Sequence, residues 1–359
     1  MESLEVNLNF WRDKKVFLTG HTGFKGSWLS LWLQSLGAVV TGYALNPKTQ
    51  PSLFELANVA KNMYSIIGDI RDLDSLKNAM KETNPDIVIH MAAQPLVRYS
   101  YSHPVETYAT NVMGTVHLLE AARESKNIKA ILNVTSDKCY ENKEVNRGYK
   151  EDDPMGGFDP YSNSKGCAEL VTSAYRNSFF NIDDYREHGV ALATGRAGNV
   201  IGGGDWAEDR LVPDLFRAFI EKKSVAIRNP NAIRPWQHVL EPLRGYLTLT
   251  EKLYSEGPDF AESFNFGPQE SDAKSVEYIA NYLVSLWQEG ASWSHDKKDQ
   301  PHEAHFLKLD IHKAKDQLGW EPRLSLDEAL RYTSDWYRAH EKKENMHEVT
   351  MKQIKDYLN

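Results

Sequence analysis

Tyr161 and Lys165 are the residues of this sequence whose types and spacing point most directly to proton chemistry. They stand four positions apart, so in a helix their side chains lie on one face. A phenol with a pKa near ~10 is a poor base at neutral pH, but a nearby ammonium favours the phenolate, which can accept a proton from a hydroxyl group. Of the seventeen tyrosines, Tyr161 alone has a lysine four positions on. The pair is a candidate catalytic site, and chance spacing on a surface helix is the alternative.

A second polar group follows an apolar run. Residues 130–138 read as a buried strand that delivers Ser136, Asp137 and Lys138 to its carboxyl end. Ligands of open α/β sheets bind at the carboxyl ends of the strands. We therefore expect a hydroxyl, a carboxyl and an amine close to Tyr161.

A third motif can hold phosphate. Residues 14–29 read as a short strand, a turn punctuated by glycine and then a helix, with glycines at 20, 23 and 26. Glycine lets an anion approach the backbone, and the helix N-terminus offers free N–H groups. The candidate dinucleotide-binding residues of this turn are Gly20, Thr22, Gly23, Phe24, Lys25 and Gly26.

The elements that must position these groups alternate along the first half of the chain. Strands are predicted at 38–45, 63–69, 86–94, 130–138 and 190–200, and helices between them, including a long one at 103–125. This alternation predicts an α/β fold with a doubly wound parallel sheet. After about residue 201 the alternation breaks, and helices predominate at 211–223, 240–255, 275–289, 311–318 and 326–341. A smaller C-terminal region is therefore expected to pack across a cleft.

Composition excludes several classes. The 359 residues are 41% hydrophobic, carry a formal net charge of −8 and contain only two cysteines, Cys139 and Cys167. We expect a globular cytoplasmic protein with no disulfide framework, no membrane insertion and no extended nucleic-acid surface. No His/Cys/Asp cluster has the spacing of metal ligands, so metal catalysis is not expected.

The glycine spacing G-x-x-G-x-x-G, together with Ser136, Tyr161 and Lys165, resembles the short-chain dehydrogenase/reductase superfamily in its extended form. The resemblance implies a Rossmann domain over 1–189, joined by 190–200 and about 240–270, that binds NAD. It implies a nucleotide-sugar-binding domain over 201–239 and 271–359. It also implies a homodimer through helices 103–125 and 161–180, for which burial within one subunit is the alternative.

The residues after Ser136 narrow the resemblance. Sugar-nucleotide 4,6-dehydratases generally end this strand Thr-Asp-Glu, and Ser136-Asp137-Lys138 keeps the acid but replaces the glutamate. This tripeptide, together with the sequence segments 94–98, 202–206 and 234–238, resembles the corresponding segments of the dehydratases that act on CDP-sugars. The resemblance implies conversion of CDP-glucose to CDP-4-keto-6-deoxyglucose, on a route to surface polysaccharide such as O-antigen. Ser136, Asp137, Lys138, Tyr161 and Lys165 would be catalytic.

Further cofactor residues follow from the resemblance and from strand ends. Asp69 and Ile70 match the contact to adenine, and Ala92, Ala93 and Gln94 end a strand where backbone must approach the cofactor; Tyr161 and Lys165 also face it. The acidic residue that usually hydrogen-bonds the adenosine ribose of NAD is missing after Leu45, where the sequence is Asn46-Pro47-Lys48. Local sequence therefore leaves NAD and NADP open, and the redox-neutral reaction implied by the resemblance favours NAD.

The anionic substrate needs cations and hydrogen-bond donors. Arginine suits phosphate because its planar fork matches two oxygens. The substrate-binding candidates are Arg98, Arg196, Asn199, Arg210 and Arg234. A structural ion pair is an equal alternative for Arg196 and Arg210.

Two other functions remain open. A nucleotide-sugar 4-epimerase would share the cofactor site, Tyr161 and Lys165, but would not need Asp137. A non-catalytic NAD-binding regulator on the same fold would usually lose the Tyr/Lys pair or gain a basic face.

Overall fold

The computed structural model describes residues 7–296 and 307–359. Its strands are β1 (Lys15–Thr19), β2 (Val39–Ala44), β3 (Tyr64–Ile67), β4 (Ile87–His90), β5 (Ala130–Val134), β6 (Ala191–Ala197), β7 (Val200–Ile201), β8 (Ser224–Ile227), β9 (Ile233–Pro235), β10 (Gln237–His238), β11 (Ser263–Phe266), β12 (Ala273–Ser275) and β13 (Ser292–His295).

The helices complete the chain. They are α1 (Leu8–Trp11), α2 (Phe24–Ser35), α3 (Leu53–Leu56), α4 (Leu73–Thr83), α5 (Val97–Ser102), α6 (Pro104–Tyr108), α7 (Gly114–Arg123), α8 (Pro160–Ser178), α9 (Tyr185–His188), α10 (Leu211–Ile220), α11 (Leu240–Glu256), α12 (Val276–Trp287), α13 (His312–Leu318), α14 (Leu326–Glu341) and α15 (Met346–Leu358).

In the described part of the chain, seven strands form one sheet in the order β11-β6-β5-β4-β1-β2-β3, with every neighbouring pair parallel. Side chains alternate between two cores: Val16 and Leu18 of β1 pack on one face, and Phe17 packs on the other. A parallel sheet covered on both faces needs such continuously apolar strands. The predicted doubly wound parallel sheet is confirmed.

The second region is built from smaller pieces. Strand β7 pairs with β10, β8 with β13, and β9 antiparallel with β12. Helix α14 begins with a complete capping box, in which Ser325 and Glu328 satisfy each other's backbone N–H groups. The predicted helix over 326–341 is confirmed. The division of the chain into two domains stays a prediction.

The predicted long helix over 103–125 is confirmed as a continuous helical run over 104–123, which contains a π-helical turn that the sequence did not indicate. The chain forms α6, then a π-helical turn at Ala109–Met113, then α7. Asn111 lies in this turn, and its amide group binds the backbone of Gln94: it accepts from the Gln94 N–H at 2.8 Å and donates to the Gln94 carbonyl at 3.0 Å. Such π-turns often mark functional positions.

Two further boundaries differ from the sequence expectation. The predicted strand over 190–200 is interrupted at Gly198 and Asn199, and Asn199 has a left-handed φ of +46°. The predicted loop over 234–239 contains part of β9 and all of β10. In both places, the pairing partner lies far away in the sequence.

Candidate active site

A cavity of about 950 Å³ lies at the carboxyl ends of the parallel strands. The glycine turn between β1 and α2, the ends of β4 and β5, and the segments around 197–214 and 225–236 line it. Its size suits a small-molecule ligand. This is the position at which open α/β sheets bind their ligands.

The glycine turn is shaped for close contact with a ligand. Gly20 has a φ of +78°, and a Cβ there would lie 2.8 Å from the Ala92 nitrogen. A Cβ at Gly26 would lie 2.1 Å from the Gly20 carbonyl oxygen, so the turn closes only with glycine at both positions. Thr22 holds the turn through a 2.8 Å hydrogen bond to the Leu45 carbonyl.

The start of α2 can receive an anion. Gly23 is its N-cap and supplies no side chain to accept the first N–H groups. Phe24 and Lys25 follow at the cavity wall. The donor set therefore fits the diphosphate of a dinucleotide cofactor.

Of the other predicted cofactor-binding residues, all but Gln94 line the cavity. Asp69, Ile70, Ala92 and Ala93 line the cavity. Gln94 does not: its side-chain amide is buried and bonds Thr107 at 2.9 Å and the backbone N–H of Leu96 at 2.5 Å. The expectation that Gln94 contacts cofactor is corrected, because Gln94 braces the turn beneath the cavity.

Tyr161, Lys165 and Ser136 come together as expected. Asp159 caps α8, and Tyr161 enters its first turn with its backbone N–H bonded to the Ser100 hydroxyl at 3.1 Å. The Ser136 hydroxyl lies close enough to the Tyr161 phenol to lower its pKa, and it donates to Asp137 Oδ1 at 2.9 Å. All three line the cavity.

The electrostatics of this group differ from the sequence expectation. Burial raises the pKa of Tyr161 to about 12, although the neighbouring Ser136 hydroxyl and the charge of Arg210 lower it. The Lys165 ammonium donates to the Val134 carbonyl at 3.5 Å. Burial lowers the pKa of Lys165 to about 8, against the charge of Glu169. Burial is thus the largest influence on the pKa of both groups.

Asp137 and Lys138 extend the catalytic group. Asp137 is fully buried, and its Oδ1 accepts from Ser136 at 2.9 Å and lies 3.7 Å from the Lys138 ammonium. Its Oδ2 has no hydrogen-bond partner among the described residues. Gly198 makes room for it, since a Cβ there would lie 1.9 Å from Oδ2. A carboxyl and an amine thus flank one corner of the cavity.

Four of the five substrate candidates line the cavity: Arg98, Asn199, Arg210 and Arg234. Arg210 pairs with Asp205 at 2.8 Å. The Asn199 side-chain nitrogen is buried without a hydrogen-bond partner among the described residues, as a donor reserved for a ligand would be.

Arg196 does not line the cavity and is corrected as a substrate candidate. It is 3% exposed, pairs with Glu169 at 2.7 Å and donates to the Tyr140 hydroxyl at 2.7 Å. Glu169 also accepts from Thr194 at 2.9 Å. The structural ion pair, which the sequence left as an equal alternative, is the observed arrangement.

The sequence reasoning missed several cavity residues. Arg71 lines the cavity and pairs with Asp69 at 2.6 Å beside the predicted adenine end. Arg228 and Asp209 also line the cavity. Arg228 directly follows β8, and a polar residue at a strand end is the signal that could have found it.

Within 7–296 and 307–359, no three His, Cys, Asp or Glu side chains are grouped so that they could hold a metal ion. Among the helices of the same residues, none is both long and apolar enough to cross a membrane.

Comparison with known proteins agrees with this geometry. Residues 17–333 match the family model of GDP-mannose 4,6 dehydratase. The chain is 59% identical over 353 residues to the CDP-glucose 4,6-dehydratase of Salmonella typhimurium, covering 98% of each chain.

Solved structures show the same fold. A UDP-glucose 4-epimerase from Thermotoga maritima with UDP-glucose superimposes with a TM-score of 0.76 at 23% identity, covering 91% of this chain and 99% of that one. A UDP-glucuronic acid 4-epimerase from Bacillus cereus, in complex with UDP-glucuronic acid and NAD, gives 0.77 at 23% identity with the same coverage. The family match and the 59% identity together show that the chain belongs to the GDP-mannose 4,6 dehydratase family and stands with its CDP-glucose 4,6-dehydratase members.

Proposed function

We propose that this protein converts CDP-D-glucose to CDP-4-keto-6-deoxy-D-glucose and water, with NAD as its cofactor. The observation that carries the proposal is the 59% identity to a CDP-glucose 4,6-dehydratase, in a chain that places Asp137 and Lys138 beside Tyr161 in one cavity. A dehydration needs a proton acceptor, a proton donor for the leaving hydroxyl and a base for the neighbouring carbon. These three side chains supply all of them.

Tyr161 accepts the proton of the sugar C4 hydroxyl. Its pKa is raised to about 12 by burial, so ionisation depends on the charges that surround it once ligands fill the cavity. Bound NAD supplies the acceptor for the C4 hydride and later the donor to C6. Ser136 holds the phenol oxygen, and Lys165 supports the same end of the cavity.

Asp137 and Lys138 carry out the elimination. A ketone at C4 acidifies the hydrogen at C5, which Lys138 removes when its amine is neutral. Asp137 then protonates the C6 hydroxyl as it leaves as water, and the proton held by Lys138, or one exchanged from solvent, would return to C5 when hydride reaches C6. The 3.7 Å between Lys138 Nζ and Asp137 Oδ1 lets one site serve adjacent carbons. If Lys138 stays charged, it stabilises the enolate and another group acts as base.

The cations of the cavity wall receive the diphosphate of the nucleotide. Arg98, Arg210 and Arg234 line the cavity, and Asn199 contributes its unpartnered amide. The overall charge of −8 makes such a local positive site necessary for an anionic substrate.

A 4-epimerase is the closest alternative, because it would use Tyr161, Lys165 and the cofactor site. It has no need of the buried Asp137. A non-catalytic regulator would have no use for the Ser136, Tyr161 and Lys165 cluster. The family membership favours the dehydratase over both.

An isotope experiment tests the reaction. CDP-glucose deuterated at C4 should give product with deuterium at C6, and solvent deuterium should enter at C5. Loss of the C4 label to water would contradict the scheme, and inverted sugar without loss of water would identify an epimerase. Parallel incubations with UDP-, GDP- and dTDP-glucose, analysed by mass spectrometry, test the choice of nucleotide.

The proposal includes a homodimer that packs α6, α7 and α8 against a second copy. Exposed apolar side chains on these helices support it: Val105 is 81% and Leu170 59% exposed. Leu170→Glu should shift the mass measured by light scattering from dimer to monomer. The matched control is Tyr64→Glu, which places the same charge on the exposed β3 edge and should leave the dimer intact.

The cellular role follows from the product. A 4-keto-6-deoxy sugar nucleotide must be consumed by enzymes that build deoxy and dideoxy sugars for surface polysaccharide such as lipopolysaccharide O-antigen, and the reaction belongs in the cytoplasm. Deleting the gene should remove those sugars from the polysaccharide, and their persistence would contradict this role.

A further inference from the structure

Asp209 joins two arginines at the mouth of the cavity. Its Oδ1 accepts from Arg98 Nη1 at 3.1 Å and from Arg228 Nη2 at 3.2 Å. Arg98 lies on α5, which follows the fourth strand of the large sheet, whereas Arg228 follows β8 of the smaller region. All three side chains line the cavity. One carboxylate oxygen therefore links the two sides of the opening.

A ligand can readily replace Asp209 in its ion pairs with Arg98 and Arg228. Asp209 is 44% exposed, and exposed ion pairs contribute little to stability. A diphosphate offers more oxygens and more charge than one carboxylate oxygen, and each guanidinium fork can bind two phosphate oxygens. A nucleoside diphosphate entering the cavity can thus replace Asp209 on both arginines with stronger contacts.

The backbone at Asp209 supports a functional role. Its φ is +60°, in the left-handed region that residues other than glycine rarely adopt, and it sits next to Arg210, the N-cap residue of α10. Such conformations cluster at ligand-binding sites. Asparagine tolerates the same region, so Asp209→Asn removes the charge and keeps the backbone.

We propose that Asp209 stands in for the substrate's diphosphate, holding Arg98 and Arg228 in the ligand-free cavity, and that Arg228 is a phosphate-binding residue that transfers from Asp209 to the substrate. This rests on the proposed function only in taking a nucleoside diphosphate sugar as the ligand. Asp209 competes with the ligand for the arginines and thereby weakens its binding.

Calorimetric titration with CDP tests this. Asp209→Asn should tighten CDP binding about three- to tenfold, and Arg228→Gln should weaken it about tenfold. Cytidine, which has the base without phosphate, should bind both variants and the wild type alike. In the double variant, the gain from Asp209→Asn should shrink. Glu221→Gln, which removes an exposed carboxylate near β8, is the matched charge control and should change nothing.

Unchanged or weaker CDP binding by Asp209→Asn would overturn the proposal. So would an equal effect on cytidine, which would assign Arg228 to the base, or a tightening of NAD rather than CDP. The proposed function fails separately: if the wild type dehydrates no CDP-glucose but Asp209→Asn still tightens CDP binding, the inference stands without it.

Discussion

The ammonium of Lys25 donates a 3.1 Å hydrogen bond to the hydroxyl of Tyr246, which ties the glycine turn to α11 beneath the cavity. Burial, and then the charges of Lys165 and Arg210, lower the pKa of Lys25 to about 7, while Asp137 raises it. Lys25 thus adds a titratable amine close to Lys165 and Asp137 of the catalytic group.

We expect Lys25 to make stability depend on pH. The unfolded lysine holds its proton to about pH 10.5 and the folded one to about 7, so between these values the unfolded chain binds more protons. The free energy of unfolding therefore rises with pH across this window. Lys25→Met should flatten that rise by roughly 1–3 kcal/mol between pH 7 and 9.5 in denaturant titrations. The exposed control Lys150→Met should keep the wild-type slope, and an unchanged slope in Lys25→Met would contradict the prediction.

Tyr161→Phe should reduce turnover by roughly 10²–10⁴-fold, the usual contribution of a general acid–base group. The phenyl ring keeps the packing of this buried position, so the melting temperature and the affinity for NAD should stay near those of the wild type. Initial rates with CDP-glucose, together with NAD titration, test this. Activity close to that of the wild type would remove Tyr161 from the mechanism.

Gly198→Ala should inactivate the protein through Asp137. The added Cβ would lie 1.9 Å from Asp137 Oδ2, so the carboxyl must move away from Ser136 and Lys138. We expect a loss of at least roughly 10²-fold in turnover, comparable to that of Asp137→Asn, if a general acid has been misplaced. Full activity in Gly198→Ala would show that the position of this carboxyl does not matter.

Arg196 should affect stability rather than substrate binding. Arg196→Met leaves Glu169 buried without its cation, which costs about 3–5 kcal/mol, whereas the double variant with Glu169→Leu should lose less. Chemical denaturation measures the cost. The KM for CDP-glucose should stay within about twofold, while Arg234→Gln, at the cavity wall, should raise it. A large rise in KM with Arg196→Met would restore its role as a substrate ligand.

Glu251 should destabilise the protein as pH rises. Burial raises its pKa to about 7, although Trp11 Nε1 donates to it at 2.5 Å and the backbone N–H of Asn7 at 3.2 Å. Between pH 4.5 and 7 the folded state holds a proton that the unfolded chain has lost, so the unfolding free energy falls with pH. Glu251→Gln should be more stable by about 1–2 kcal/mol at pH 8 and equal near pH 4.5. Exposed Glu344→Gln is the control, and equal stability at pH 8 would contradict the prediction.

The sequence by itself determined the parallel sheet, the glycine turn and the pairing of Tyr161 with Lys165. These features are local: buried strands read as continuous apolar runs, a phosphate-binding turn needs glycines at set positions, and two residues four apart share a helix face. The family resemblance assigned catalytic roles to Asp137 and Lys138, which follow the end of β5.

Only the tertiary structure decided which polar residues reach the cavity. For Arg196 and for Arg210 the sequence left a substrate contact and a structural ion pair equally open; both form an ion pair, Arg196 with Glu169 in the interior and Arg210 with Asp205 at the cavity wall. The partners that settle such roles lie far apart in the chain, as Arg98 and Arg228 do on either side of Asp209. The pKa values of Tyr161 and Lys25 were equally hidden, because desolvation depends on how completely the folded chain surrounds a group, which residue spacing does not encode.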